Sequence, residues 1–161
     1  MDMDDYDRLA RGLRRYLTLV AEAVGVGAES CCVHFGSTTD AYIALEDRLR
    51  AFPDRDAALL WDEWRGWALA VETHGGAEAM VLGHLGADVL PLPNVVADHV
   101  RRAVDGHSLG EPSPPRFRAD HAADLLVRLA DYAAPVGPAA GWTIQLPPGS
   151  ADPVGRSARS R

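Results

Sequence analysis

The sequence predicts an α+β fold, with an antiparallel sheet of about 4–5 strands and helices packed mainly on one face. Three observations lead there: a long amphipathic helical stripe at the start, short β-prone runs punctuated by turn residues through the middle, and two further helical stripes after residue 92. The chain has 161 residues, 47% of them hydrophobic, enough to bury an ordinary core without disulfides or metals. Residues 1–135 are expected to form one domain and 136–161 a disordered tail.

Residues 4–24 place Leu9, Leu13, Tyr16, Leu17, Val20 and Val24 on one stripe of a 3.6-residue period. Asp4, Asp5 and Asp7 sit in the first turn, where the helix dipole favours negative charge, and Gly25 follows as a stop. Next come two β-prone runs, 30–35 and 41–45, separated by Gly36-Ser-Thr-Thr-Asp, which predict a hairpin. Residues 46–56 are charged and contain Pro53, and read as a loop or a broken helical turn.

Residues 57–73 carry three of the four tryptophans. They read as two strands joined by a four-residue loop, Glu63-Trp64-Arg65-Gly66, with Gly66 left-handed and Asp62 bonding back to loop amides. In that register Asp62 faces Trp67, Leu60 faces Leu69 and Ala58 faces Val71, while Leu59, Trp61, Ala68 and Ala70 occupy the opposite face. Both faces are then largely apolar, so either helices cover both or one meets a partner. A helix over the same run also has an apolar stripe, but Gly66 at its centre would cost about 1 kcal/mol. The hairpin is the reading adopted.

Residues 79–85 suggest a further strand. A second helix spans 94–104, with Pro93 at its first position, Gly106 ending it, and Val95, Val96, His99, Val100, Ala103 and Val104 on one face. Residues 107–118 read as a linker. A third helix, 120–134, has Asp120 as a candidate N-cap and a face of Ala122, Leu125, Leu126, Leu129 and Tyr132. The segment 136–161 has four prolines, four glycines and few apolar residues, save the island 142–146, which can dock as a strand or bind elsewhere by strand addition.

The charge narrows the function. All 16 basic residues are arginine, and the formal net charge is −7. Residues 1–135 hold 13 Arg against 22 acids, a balance of −9 that disfavours nucleic acid, whose binders need a basic face. No apolar run approaches the ~18 residues of a membrane span. The acidic start does not resemble a signal peptide, and the adjacent Cys31 and Cys32 cannot form a disulfide framework. A soluble cytoplasmic protein is the expectation.

Candidate chemistry is sparse. Cys32 and His34 are two apart and share a strand face, but His74, His84, His99 and His107 add no ligand spacing, so no metal is expected. Nucleophile-elbow, Walker and dinucleotide glycine patterns are absent, and no cofactor or catalytic residue is assigned. The tryptophans are the stronger lead. Trp64 falls in the loop beside Arg65, a combination that resembles interface anchors, and Leu59 and Trp61 on one apolar face extend it. Leu59, Trp61, Trp64 and Arg65 are therefore the expected interface of a non-catalytic interaction or adaptor module, self-associating or binding a protein partner. The alternative is a small-molecule-binding protein or hydrolase with a pocket near the 57–73 hairpin, Arg65 as anion contact and Cys32 or His34 as reactive groups.

The segments Gly12-Leu-Arg-Arg-Tyr-Leu, Tyr42-Ile-Ala-Leu, Pro53-Asp-Arg-Asp, Leu60-Trp-Asp-Glu, Gly66-Trp-Ala-Leu-Ala-Val-Glu and Asp88-Val-Leu-Pro carry a resemblance. Over roughly residues 8–105 the chain resembles a family of small uncharacterised proteins from high-GC Gram-positive bacteria, a domain of unknown function. The resemblance implies no activity, substrate or cofactor.

Overall fold

In the computed structural model, which describes residues 2–134 apart from 77 and 87, the β-prone runs pair in the order in which the chain makes them. Helix α1 (Met3–Val24) leads through a single 3-10 turn (Ala28–Ser30) to β1 (Cys31–Phe35), β2 (Thr39–Ala44), β3 (Ala57–Asp62), β4 (Gly66–Glu72) and β5 (Ala79–His84). Helices α2 (Pro93–Val104) and α3 (His121–Ala133) follow. The sheet is an antiparallel meander of five strands, β1-β2-β3-β4-β5. The tail, including the island 142–146, lies outside the described residues.

Helix α1 ends as its sequence directs: Gly25 is left-handed (φ 88°) and its amide, with that of Val26, returns to the Ala21 carbonyl. The stripe of α1 buries Leu13, Tyr16, Leu17 and Val20 against Leu59, Trp61, Trp67, Leu69 and Val71 of the sheet, and α2 and α3 flank α1 on that side. The crossing of α1 with α3 is close because position 12 lacks a side chain: a Cβ on Gly12 would collide with the Leu129 carbonyl.

The central hairpin differs from its sequence reading by one residue. Gly66 belongs to β4 and pairs with Asp62, so the loop is the three residues 63–65. Trp61 opposes Trp67, Leu60 opposes Ala68, and Leu59 opposes Leu69. A one-residue slip flips every side chain. Leu59 and Trp61 therefore join Trp67 and Leu69 in the core, both almost wholly buried, and the opposite face carries Ala58, Leu60, Asp62, Ala68 and Ala70.

Buried tryptophan N–H groups need acceptors. Trp61 Nε1 donates to the Val89 carbonyl at 2.7 Å. Trp67 Nε1 donates to Tyr16 Oη at 3.0 Å, and that hydroxyl donates on to the Pro91 carbonyl at 2.6 Å. The connector between β5 and α2 is thus tied to the sheet and to α1. Burial pushes the Tyr16 phenol well above its ordinary pKa, so the hydroxyl keeps the proton it donates.

Smaller departures have local causes. Strand β2 begins at Thr39, whose amide is taken by Glu63 Oε1, so the β1–β2 turn is shorter than the polar run suggested. Leu49, within the charged 46–56 segment, is fully buried through a bridge to Phe52. Asp120 makes no side-chain cap and instead lies 3.5 Å from Arg118 Nε. In α2 the buried face is Val96, Ala97, Val100 and Ala103, with Val95 half exposed, and in α3 Leu126 faces outward.

Gly12→Ala tests the helix crossing. In an isolated helix the change stabilises by about 1 kcal/mol through propensity. Here the new methyl meets backbone, so the expected result is a loss of about 2 kcal/mol or more in chemical denaturation, in line with overpacking.

Candidate functional site

Three surfaces surround the β3–β4 hairpin: its tip, a charged recess beneath it, and the sheet face away from the helices. At the tip, Asp62 Oδ1 accepts the amides of Trp64 (2.8 Å) and Arg65 (2.7 Å), and Gly66 is left-handed (φ 68°). Any side chain at Gly66 would also press on the connector, with a Cβ 3.2 Å from the Asp88 carbonyl. The Trp64 and Arg65 amides are thus satisfied within the hairpin. Trp64 is 54% exposed and stands edge-on to His121, ring centroids 5.3 Å apart. His121 also packs on Phe117 and bridges loops, with Nδ1 2.9 Å from the Arg118 carbonyl and Nε2 3.2 Å from that of Glu63. Arg65 is exposed and only 3.9 Å from Asp62 Oδ2.

Of the four residues expected at an interface, the fold separates two from two. Trp64 and Arg65 stand at the tip, whereas Leu59 and Trp61 are core and present no surface, for the register reason above. The aromatic support of Trp64 by Phe117 and His121 was not legible, because those residues lie in a segment that reads as linker and helix start.

The recess, of about 370 Å³, lies between the connector and α3. Two of its charged residues, Asp88 and Arg128, are tightly joined. Arg128 binds both Asp88 oxygens (2.7 and 3.0 Å) and the Leu90 carbonyl (2.6 Å), and Asp88 Oδ1 also takes the Leu90 amide at 3.0 Å. The hydrogen bonds from Arg128 hold the Asp88 carboxyl below the usual carboxylate range.

The third surface follows from the register. Across the sheet run Cys32, Tyr42, Leu60, Ala68 and His84, directly opposed strand by strand; His34, Asp40, Asp62 and Gly66 form the next row, and Ala44, Ala58, Ala70 and Val81 a third. Tyr42 Oη donates to Glu72 Oε1 at 2.9 Å, which stretches the ring from β2 to β4 over β3, where alanines leave room. Burial first, then that carboxylate, pushes the Tyr42 phenol up to about 12. Between these side chains and Val81 lies a cavity of about 360 Å³ that His84 lines.

Cys32 and His34 share this face as their spacing requires, but they are not assembled for catalysis. The His34 ring turns away from Cys32, over Gly36, with Nδ1 3.6 Å from Asp40 Oδ2, and both members of that pair are exposed. Among the described residues no group of three His, Cys, Asp or Glu side chains is placed to hold a metal, and no helix is long and apolar enough to cross a membrane.

The fold and its surfaces define a small α+β protein in which a five-stranded meander carries three helices on one side and, among the described residues, none on the other. Residues 16–102 match the model of the family of unknown function DUF6292, and the chain belongs to that family. No curated protein and no solved structure matches the chain.

Removing Arg128 tests the recess. Arg128→Met is expected to cost about 1–2 kcal/mol at neutral pH, a modest figure because the pair is partly solvated. The folded-state pKa of Asp88 is depressed, so its contribution is present above the ordinary carboxylate pKa of about 4 and lost as pH falls through and below it. Denaturation of wild type and variant should therefore converge towards pH 3, leaving only the lost bond to Leu90. A gap that stays constant with pH would contradict the ionic role.

Proposed function

We propose that this protein is a non-catalytic interaction module that associates with a second copy of itself through the tip of the β3–β4 hairpin. The observation that carries the reading is Trp64: of the three hairpin tryptophans it alone lies outside the core, on a loop whose amides are already capped and whose ring is buttressed by His121. A large aromatic group held in place before binding loses little entropy on contact, and Trp beside Arg is the composition of interface anchors.

The surface does not end at the loop. A crevice of about 250 Å³ runs from Glu63 past Phe35 and Leu126 to Tyr6 and Leu9, joining the tip to the exposed edges of α1 and α3. Along it Tyr6 and Leu126 are exposed, and Met3 on α1 and Val127 on α3 are exposed as well. An apolar strip of this kind favours a protein partner over solvent. The separation of the His34 ring from Cys32 supports binding over hydrolysis.

Multi-angle light scattering on wild type and Trp64→Ala tests this. The expected result is a wild-type dimer and a monomeric variant with an unchanged melting temperature. Monomers in both samples at high concentration would overturn self-association through the tip.

A further inference from the structure

The first strand of the sheet presents an edge that the other four strands do not close. We propose that residues 142–146 of this chain, Trp-Thr-Ile-Gln-Leu, dock on β1 as a sixth strand, with Trp142, Ile144 and Leu146 on the helix side of the sheet.

The backbone shows where the edge is unsatisfied. In an antiparallel pair, opposed residues alternate between those that exchange hydrogen bonds and those that do not. The Glu63 amide donates to the Thr39 carbonyl at 3.2 Å and the Leu45 amide to the Ala57 carbonyl at 3.0 Å, so the odd-numbered residues of β2 bond to β3. Asp40 and Tyr42 are left to bond to β1, through His34 and Cys32. The Val33 and Phe35 amides therefore point away from the sheet, and among the described residues neither finds an acceptor. The Cys31 amide is already taken by the Ala28 carbonyl.

Exposed edges are commonly blunted by lysine, proline or a bulge, and Cys31–Phe35 carries none of these. The far edge of the sheet is treated differently. There the His84 and Glu111 amides each donate to the other's carbonyl at 2.8 Å, and a register shift at Leu69/Ala70 interrupts the β4–β5 ladder.

The side chains of β1 identify the occupant. Cys31, Val33 and Phe35 are half-buried against the core, while Cys32 and His34 are exposed on the outer face. Residues 142–146 repeat that alternation, apolar at Trp142, Ile144 and Leu146 and polar at Thr143 and Gln145. Gly141 before them and Pro147 after them limit the run to the length of β1. A strand added in this sense completes the half-covered apolar row and accepts the Val33 and Phe35 amides.

The chain can reach this edge. Ala134, the last described residue, lies beside Arg8 and Arg11 of α1. The same helix meets Phe35 through the Tyr6 ring, centroids 5.9 Å apart, and through the Arg14 guanidinium, 5.2 Å from the ring. Residues 135–141 span up to about 25 Å when extended, roughly twice the width of the helix they must cross. Charge favours the return as well, since residues 136–161 hold three arginines and one aspartate, whereas the rest of the chain is strongly acidic. The proposal does not depend on Trp64.

The test is amide hydrogen exchange of the full chain, followed by NMR at β1. The Val33 and Phe35 amides are expected to exchange at least about a hundredfold more slowly than in an unfolded chain, because a paired amide exchanges only when its ladder opens. Ile144→Asp should remove that protection while the Cys32 and His34 amides, bonded to β2, keep theirs. Thr143→Asp, on the solvent side, should leave all four protected. Fast exchange at Val33 and Phe35 in the wild type overturns the proposal. Protection that survives Ile144→Asp assigns the edge to another occupant, and protection that appears only in concentrated samples assigns it to a second copy; either result overturns docking within one chain. Equal loss in Thr143→Asp and Ile144→Asp overturns the orientation. In Trp64→Ala the protection should persist, so failure of the hairpin-tip reading and failure of this one are told apart.

Discussion

The hydrogen-bond relay from Trp67 through Tyr16 to the Pro91 carbonyl is the constraint around which the rest of the molecule is arranged. It joins β4, α1 and the connector to α2, elements 51 and 75 residues apart from Tyr16 in the chain. Each member is buried, so no water is available to replace a missing partner, and an unpaired donor there would cost about 1–3 kcal/mol. Trp61 repeats the arrangement one strand over by donating to Val89. Two indoles side by side on the core face thus require an irregular connector, whose free carbonyls a helix or strand would have consumed internally. The connector in turn presses on Gly66, and this fixes the hairpin tip.

How much of this was legible depends on how far each determinant lies along the chain. The α1 stripe, Gly25, the hairpin from 57 to 72 and the stripe of α2 are local patterns, and period and turn chemistry place them within a residue or two. The register of β3 with β4 was not, because it rests on whether Gly66 is the last loop residue or the first strand residue. Its left-handed backbone suits either count, and the residues packed over it, Asp88 and Val89, lie far along the chain. That single residue moved Leu59 and Trp61 from an expected interface into the core. Leu49 was missed for a similar reason: a charged loop conceals one side chain that pays for its burial by closing the end of the core.

The same register created the open face. With Trp61 and Leu59 inside, the outward row becomes Tyr42, Leu60, Ala68 and His84, a sequence of large, large, small and polar that a sheet presents as a trough. His84 stood in the sequence as one of six histidines, and nothing local distinguished it. Its strand neighbours are distant in sequence, Ala68 across the ladder and Glu111 at the outer edge.

The hairpin tip and the outer sheet face also draw on different parts of the framework. The family match, residues 16–102, contains Tyr16, Trp61, Trp67, Val89 and Pro91, together with Tyr42, Ala68 and His84. The relay and the lining of the open face therefore lie within one matched segment. The support of Trp64 is divided: Asp62 and Gly66 fall inside the match, while Phe117 and His121 fall beyond it. No side chain of α3 takes part in the relay, whereas His121 stands behind Trp64 and Arg128 binds Asp88. The outer face is thus built by the sheet itself, and the ring behind Trp64 is supplied by the helix that follows.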